Sequence, residues 1–333
     1  MGKFSFIDAN SNDELSSFNE KDSSKFIEEL RNYIINYRDT LNIPNSITFG
    51  TEIEVCSKNI RYKEKLNKEL IKLNNLSLNN QWYFDIEKNI PFCTEFVSPI
   101  LTDSKDTWIN LKKVCDVLKN NNALVTNSTG GHIHFGMQIL CNNLDAWMNF
   151  IKLWAVYENV IYRFSYGEYE RERKMIEIAA KPISSKFFNA YSHLNEKNIS
   201  VKELIMKLYS GYKTGAIGIY NYSPKYKKNS TIEIRCPNSS TEEAIWQNNI
   251  NFFYHLLKYC SSSNFNHEVI DKRIYDILGI QNDLSLYREI FMEQAIELAD
   301  LIFGNNLDKL NFLRQYLKDY STKEEFIKCK RFI

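Results

Sequence analysis

The sequence has almost no net charge: 42 basic residues stand against 41 acidic ones, which leaves +1. A chain so balanced has no global field to draw it to nucleic acid or to an anionic bilayer, so recognition must be built locally. Metal-knuckle spacing is missing too. The seven cysteines (Cys56, Cys93, Cys115, Cys141, Cys236, Cys260 and Cys329) are odd in number and show no C-x-x-C pair. That pattern excludes a zinc ribbon or a disulfide framework and reads as reduced, mostly buried thiols. No run approaches the ~20 apolar residues needed to span a bilayer, and the polar first dozen residues lack an apolar signal core. These absences predict a cytoplasmic protein with neither nucleic acid nor membrane as partner. Its 333 residues, 44% hydrophobic, suffice for one large domain or two modest ones, at about 100–200 residues each.

What is present centres on Asn127-Ser128-Thr129-Gly130-Gly131-His132-Ile133-His134-Phe135-Gly136. Residues alternate faces along a strand, so His132 and His134 share one face, roughly 6–7 Å apart, while Ile133 and Phe135 share the other. The turn before them, from Asn127 to Gly131, can present backbone N–H groups to an oxyanion, because glycine lets the backbone approach. A phosphate or metal site is one reading; a half-exposed strand with solvated histidines is the other.

Three further stretches share this layout. Ile47 to Val55 alternates apolar Ile47, Phe49, Ile53 and Val55 with Gly50, Glu52 and Glu54. Two carboxylates on one face repel unless a cation lies between them, although a solvated acidic face is an equally open alternative. Phe92 to Pro99 puts Glu95 opposite Phe96, and Thr231 to Pro237 puts Glu233 and Arg235 opposite Ile232, Ile234 and Cys236. Helical spacing predicts helices over Ser23 to Leu41, Tyr62 to Leu73, Leu144 to Phe164 and Tyr287 to Phe303, with another opening at Asp103 or Ser104. Ser200 with Glu203, and Ser240 with Glu243, are spaced as capping boxes. Residues 1–42 read as a flexible or loosely docked tail plus a helix, 43–260 as the main domain, and 261–333 as a helical extension.

Glu-x-Glu, a lone glutamate before Val-Ser-Pro, Gly-Gly-His-x-His and Thr-Ile-Glu-Ile-Arg, in that order, resemble the amidoligase branch of the glutamine synthetase and glutamate–cysteine ligase superfamily. The resemblance implies an α+β fold: a curved antiparallel sheet of glutamine synthetase catalytic-domain type with helices on its outer face. It implies ATP and two or more Mg²⁺ ions on the inner face, with Glu52, Glu54, Glu95, His132 and Glu233 as metal ligands. Arg235, with Glu54 and Glu95, would serve the reaction itself. Asn127, Gly130, Gly131, Arg171 and Arg173 would hold the nucleotide, with Arg163 a third candidate for the phosphate-binding arginine. The implied activity is an ATP-dependent joining of a free carboxylate, on an amino acid, peptide or protein, to an amine through an acyl phosphate. The alternatives are a metal-dependent hydrolase that activates water through His132, His134 and the acids, or a binding member of the fold without catalysis.

Overall fold

The computed structural model describes residues 7–17, 20–75, 81–86, 92–169, 176–184, 186–187, 199–209, 214–220, 230–277, 287 and 289–318. Six strands form one antiparallel sheet: β1 (Phe49–Cys56), β2 (Tyr83–Ile86), β3 (Cys93–Val97), β4 (Gly131–Gly136), β5 (Ile217–Tyr220) and β6 (Thr231–Ile234). Their order across the sheet is β2-β3-β1-β4-β6-β5, so the sheet is open, with β2 and β5 at its edges. β1 and β4, which carry Glu-x-Glu and His-x-His, are the central pair.

The period-two pattern decides which face is covered. Phe49, Ile53, Val55, Phe96, Ile133, Phe135, Ile232 and Ile234 are all buried. The main helices are α1 (Glu20–Asn32), α2 (Ile60–Asn75), α3 (Lys105–Asn120), α4 (Leu144–Ser165), α5 (Val201–Tyr209), α6 (Glu243–Cys260), α7 (His267–Ile277), α8 (Met292–Ile302) and α9 (Asn306–Leu317), of which α3 and α6 reach that side of the sheet. Trp108 of α3 stacks on Phe49 with ring centroids 5.7 Å apart, and the Trp246 ring of α6 fills the space where Gly131 has no side chain. α4 is the hub, packing against α6, α7, α8 and α9; between α4 and α6 Trp154 stacks on Phe253, and Phe164 meets Phe252 with its ring tilted. No helix among the described residues is long and apolar enough to cross a membrane.

Several local expectations change. The first helix stops at Asn32 rather than Leu41. Beyond it the chain runs as an irregular arm, because its backbone donors find side-chain acceptors: Leu41 and Ile43 N–H bond to the Asp103 carboxylate, and Arg38 N–H bonds to Gln247. Ser104 caps α3 and the Ser200–Glu203 box forms, but the second box does not. Ser240 Oγ donates to Glu168, while Glu243 pairs with Lys112 and Lys119. The last predicted helix starts at Met292, five residues late. Residues 7–17 are anchored rather than loose: Ile7 and Leu15 are buried, and Asn306 and Asp300 accept N–H bonds from Asp13, Leu15 and Ser16.

The cysteines also depart from expectation. Cys56 and Cys93 lie directly opposite each other in the β1–β3 register, Cα atoms 3.9 Å apart, and are joined by a disulfide. Cys115, Cys236 and Cys260 are buried thiols and Cys141 is exposed; Cys329 lies outside the described residues. Spacing in sequence does not reveal a pair made by strand register, its members 37 positions apart.

Candidate active site

Directly opposed residues of an antiparallel pair share a face. The register sets Glu54 opposite Glu95, Glu52 opposite His132, and His134 opposite Glu233. Six chemistry-bearing side chains thereby meet on the face away from the helices, and every metal ligand expected from the sequence is among them. In the β2–β3 register Asp85 stands opposite Glu95.

Glu52 organises the imidazoles. Its Oε2 lies 2.8 Å from His132 Nδ1, and its Oε1 lies 2.9 Å from His134 Nε2. An ionised carboxylate only accepts, so each of these nitrogens carries the proton. Burial alone would raise the Glu52 pKa, but the two hydrogen bonds and the imidazole charges outweigh it and hold the carboxyl well below the usual range. Burial would likewise lower His134, yet its bond to Glu52 and the charges of Glu52 and Glu233 raise it.

With Nδ1 protonated, His132 turns the lone pair of Nε2 toward Glu54, whose Oε1 is 3.7 Å away. That Nε2 is buried with no hydrogen-bond partner, and so is Glu233 Oε2. A buried polar atom left unmatched costs about 1–3 kcal/mol, so two such atoms facing an acidic cluster fit a site built to bind a cation. Glu52, His132 and Glu233 can bring one ligand atom each within 4.8 Å of one another, and so can Glu54, Glu95 and His132. The two sets share His132. Oxygen-rich donor sets with one imidazole suit a hard divalent cation.

The arginines separate. Arg235 donates from Nη1 to Glu233 Oε1 at 2.6 Å and from Nε to the Ala179 carbonyl at 3.1 Å, so its guanidinium plane is fixed at the rim of the cluster. Arg163 is no phosphate contact: it is buried, donates to the Tyr316 and Leu317 carbonyls, and lies over the Tyr316 ring. There it caps the C-terminal end of α9. Arg171 and Arg173 lie outside the described residues.

The glycine turn serves the site differently from the expected oxyanion cradle. Gly130 N–H donates to Glu54 Oε2 at 2.5 Å, and Gly131 N–H donates to the Pro237 carbonyl. Both amides are therefore committed within the protein, and Asn127 is exposed at the turn. Gly131 is required by packing, since a Cβ there would sit 2.7 Å from Asn238 O and from the Trp246 ring.

Sequence reasoning missed a cleft of about 230 Å³ at the opposite end of β1, where Gly50, Gly136, Ser98 and Ile100 join Glu52 and His134. Its one legible signal was the pair of glycines in phase with Glu52 and His134. Comparison with curated proteins finds no match. The family model for amidoligase enzymes matches residues 61–257, which takes in Glu95, His132, Glu233 and Arg235 and begins just after Glu52 and Glu54. That match spans more than half of the chain: the protein belongs to the amidoligase family.

Proposed function

We propose that the protein joins a carboxylate to an amine at the expense of ATP, through an acyl phosphate, on a sheet of glutamine synthetase catalytic-domain type. The observation that carries this reading is the pair of donor sets sharing His132, with Arg235 fixed beside Glu233. A carboxylate oxygen is a poor leaving group, and transfer of the γ-phosphoryl group converts it into a good one. Phosphoryl transfer is catalysed chiefly by positioning and charge neutralisation. Glu52, Glu54, Glu95, His132 and Glu233 would hold two Mg²⁺ ions, which supply charge neutralisation at the phosphoryl oxygens when bound.

The chain's own groups do the rest. Glu52 fixes both imidazole tautomers, and the Gly130 amide fixes Glu54. Arg235, anchored through Nε and Nη1, presents a planar fork to the transferring group, a role that Arg171 and Arg173 share toward the remaining phosphates. The partners are a free carboxylate on an amino acid, peptide or protein, and an amine. Four carboxylates to one ligand imidazole favour Mg²⁺ over the zinc that a hydrolase would use, and metal analysis of the purified protein separates the two. The direct test incubates the protein with ATP, Mg²⁺ and panels of acids and amines, reading ADP and new amides by mass spectrometry. ADP and amide should appear in equal amounts; a broad panel of acids and amines yielding no ADP sinks the reading.

A further inference from the structure

We infer that the cleft at the Gly50 end of the sheet seats the amine substrate, and that it takes a primary alkylammonium group. The inference rests on the amide-forming reading above and adds to it the class of the second substrate. Along the acidic face of β1 the residues run Gly50, Glu52, Glu54, Cys56, so the cleft lies on one side of Glu52 and the Glu54–Glu95 pair on the other. A group bound in the cleft meets the acid cluster from the end opposite the disulfide.

The lining excludes an anion. Among the described residues that line it there is no lysine or arginine, and its only ionisable side chains near the floor are Glu52 and His134. Its backbone amides are not open either: Thr51 N–H bonds to Ser98 Oγ, and Gly136 N–H bonds to the Thr48 carbonyl. A carboxylate or phosphate would find no lysine or arginine and neither of these N–H groups to receive it, and the charge that His134 can carry is already paired with Glu52 and Glu233. A cationic donor finds acceptors instead, in the Glu52 carboxylate and the hydroxyls of Thr48 and Thr231.

The walls specify the rest of the ligand. Val97, Pro99, Ile100 and Tyr83 form one side, and Ile100 and Tyr83 are 59% and 58% exposed, an apolar pair held in water beside an acidic floor. Glycine at positions 50 and 136 keeps that floor clear; a Cβ at Gly50 would lie 3.2 Å from Ser98 Oγ. Ammonia would use none of this apolar wall, and an alkyl chain of a few carbons covers it while its head reaches Glu52.

The test uses the full-length protein with ¹³C-labelled isoleucine methyls in Mg²⁺ buffer, following Ile100 during titration with n-butylamine, butyrate and ammonium chloride at neutral pH. Butylammonium should shift the Ile100 signal saturably, at least tenfold more tightly than either butyrate or ammonium. Gly50→Val should abolish the shift, and Tyr83→Ser, at an exposed position that leaves folding intact, should weaken it at least fivefold. Equal or tighter binding of butyrate overturns the inference, as does ammonium matching butylammonium or an unaltered titration in Tyr83→Ser. Because the readout is binding alone, failure here is distinguishable from failure of the proposed function, which ATP-dependent formation of ADP and amide decides separately.

Discussion

His132 belongs to both candidate donor sets, and its usefulness depends on one proton. Glu52 fixes that proton on Nδ1, leaving Nε2 for a ligand. The spacing of Glu-x-Glu and His-x-His made the ligand types legible in sequence, because period two fixes which residues share a face. That Glu52 would orient both histidines was not legible, since it depends on the β1–β4 register. Glu54→Gln keeps an oxygen for the Gly130 amide but removes the charge, so activity should fall at least about 100-fold while stability changes by about 1 kcal/mol or less. A melting temperature many degrees lower would show that Glu54 is structural. Arg235→Lys retains the charge beside Glu233 but loses the fork and the bond to Ala179. Its effect should be a drop in kcat much larger than any rise in KM for ATP, because the fork is used most as charge spreads in the transition state. Near-normal turnover in that variant would reduce Arg235 to a partner of Glu233.

At the scale of elements, the strands are legible in sequence and the connections are not, for a consistent reason. Strand faces follow from alternation within a few residues, whereas the arm after α1 is shaped by acceptors far along the chain. Asp103 is the chief of these: it is buried and accepts from Leu41, Ile43 and the Trp108 indole. Asp103→Ala would strand three donors and should cost about 3 kcal/mol or more in urea unfolding, with the arm becoming protease-sensitive. The disulfide belongs here too. Cys56–Cys93 continues the register of Glu54–Glu95 by two residues along each strand, so it ties the strands that carry those two acids. Serine at both positions should lower stability by about 2–4 kcal/mol, measured against the oxidised wild type, because an open 37-residue loop gains freedom when unfolded. Mass spectrometry showing two free thiols in the oxidised wild-type preparation would contradict the pairing.

For the molecule as a whole, one core runs from Ile7 to Leu317. Apolar periodicity announced the helices but could not say that the outer ones share a core with the sheet, which depends on long-range polar pairing. His255 sits in that pairing. Burial pushes its pKa down to about 4 from the usual 6.5, aided by the charges of Lys258 and Arg38 and opposed by Asp308. Since the folded value is depressed, the unfolded chain binds a proton that the folded one refuses between these limits. The contribution is fully present above pH 6.5 and is lost as pH falls through about 4, amounting to about 3 kcal/mol. Urea midpoints should therefore fall between pH 7 and 4.5, and less so in His255→Asn; parallel profiles for the two proteins would remove His255 from the account. Asn306 draws the other consequence. Its amide donates to Asp8 O, Ser11 Oγ and Asp13 Oδ2, and its carbonyl accepts the Asp13 N–H, 293 residues earlier. On the ribosome, residues 7–17 emerge long before α8 and α9 yet lack these partners until both have been made, so an early-made segment is among the last to settle, and the fold closes like a belt whose buckle is threaded at the end.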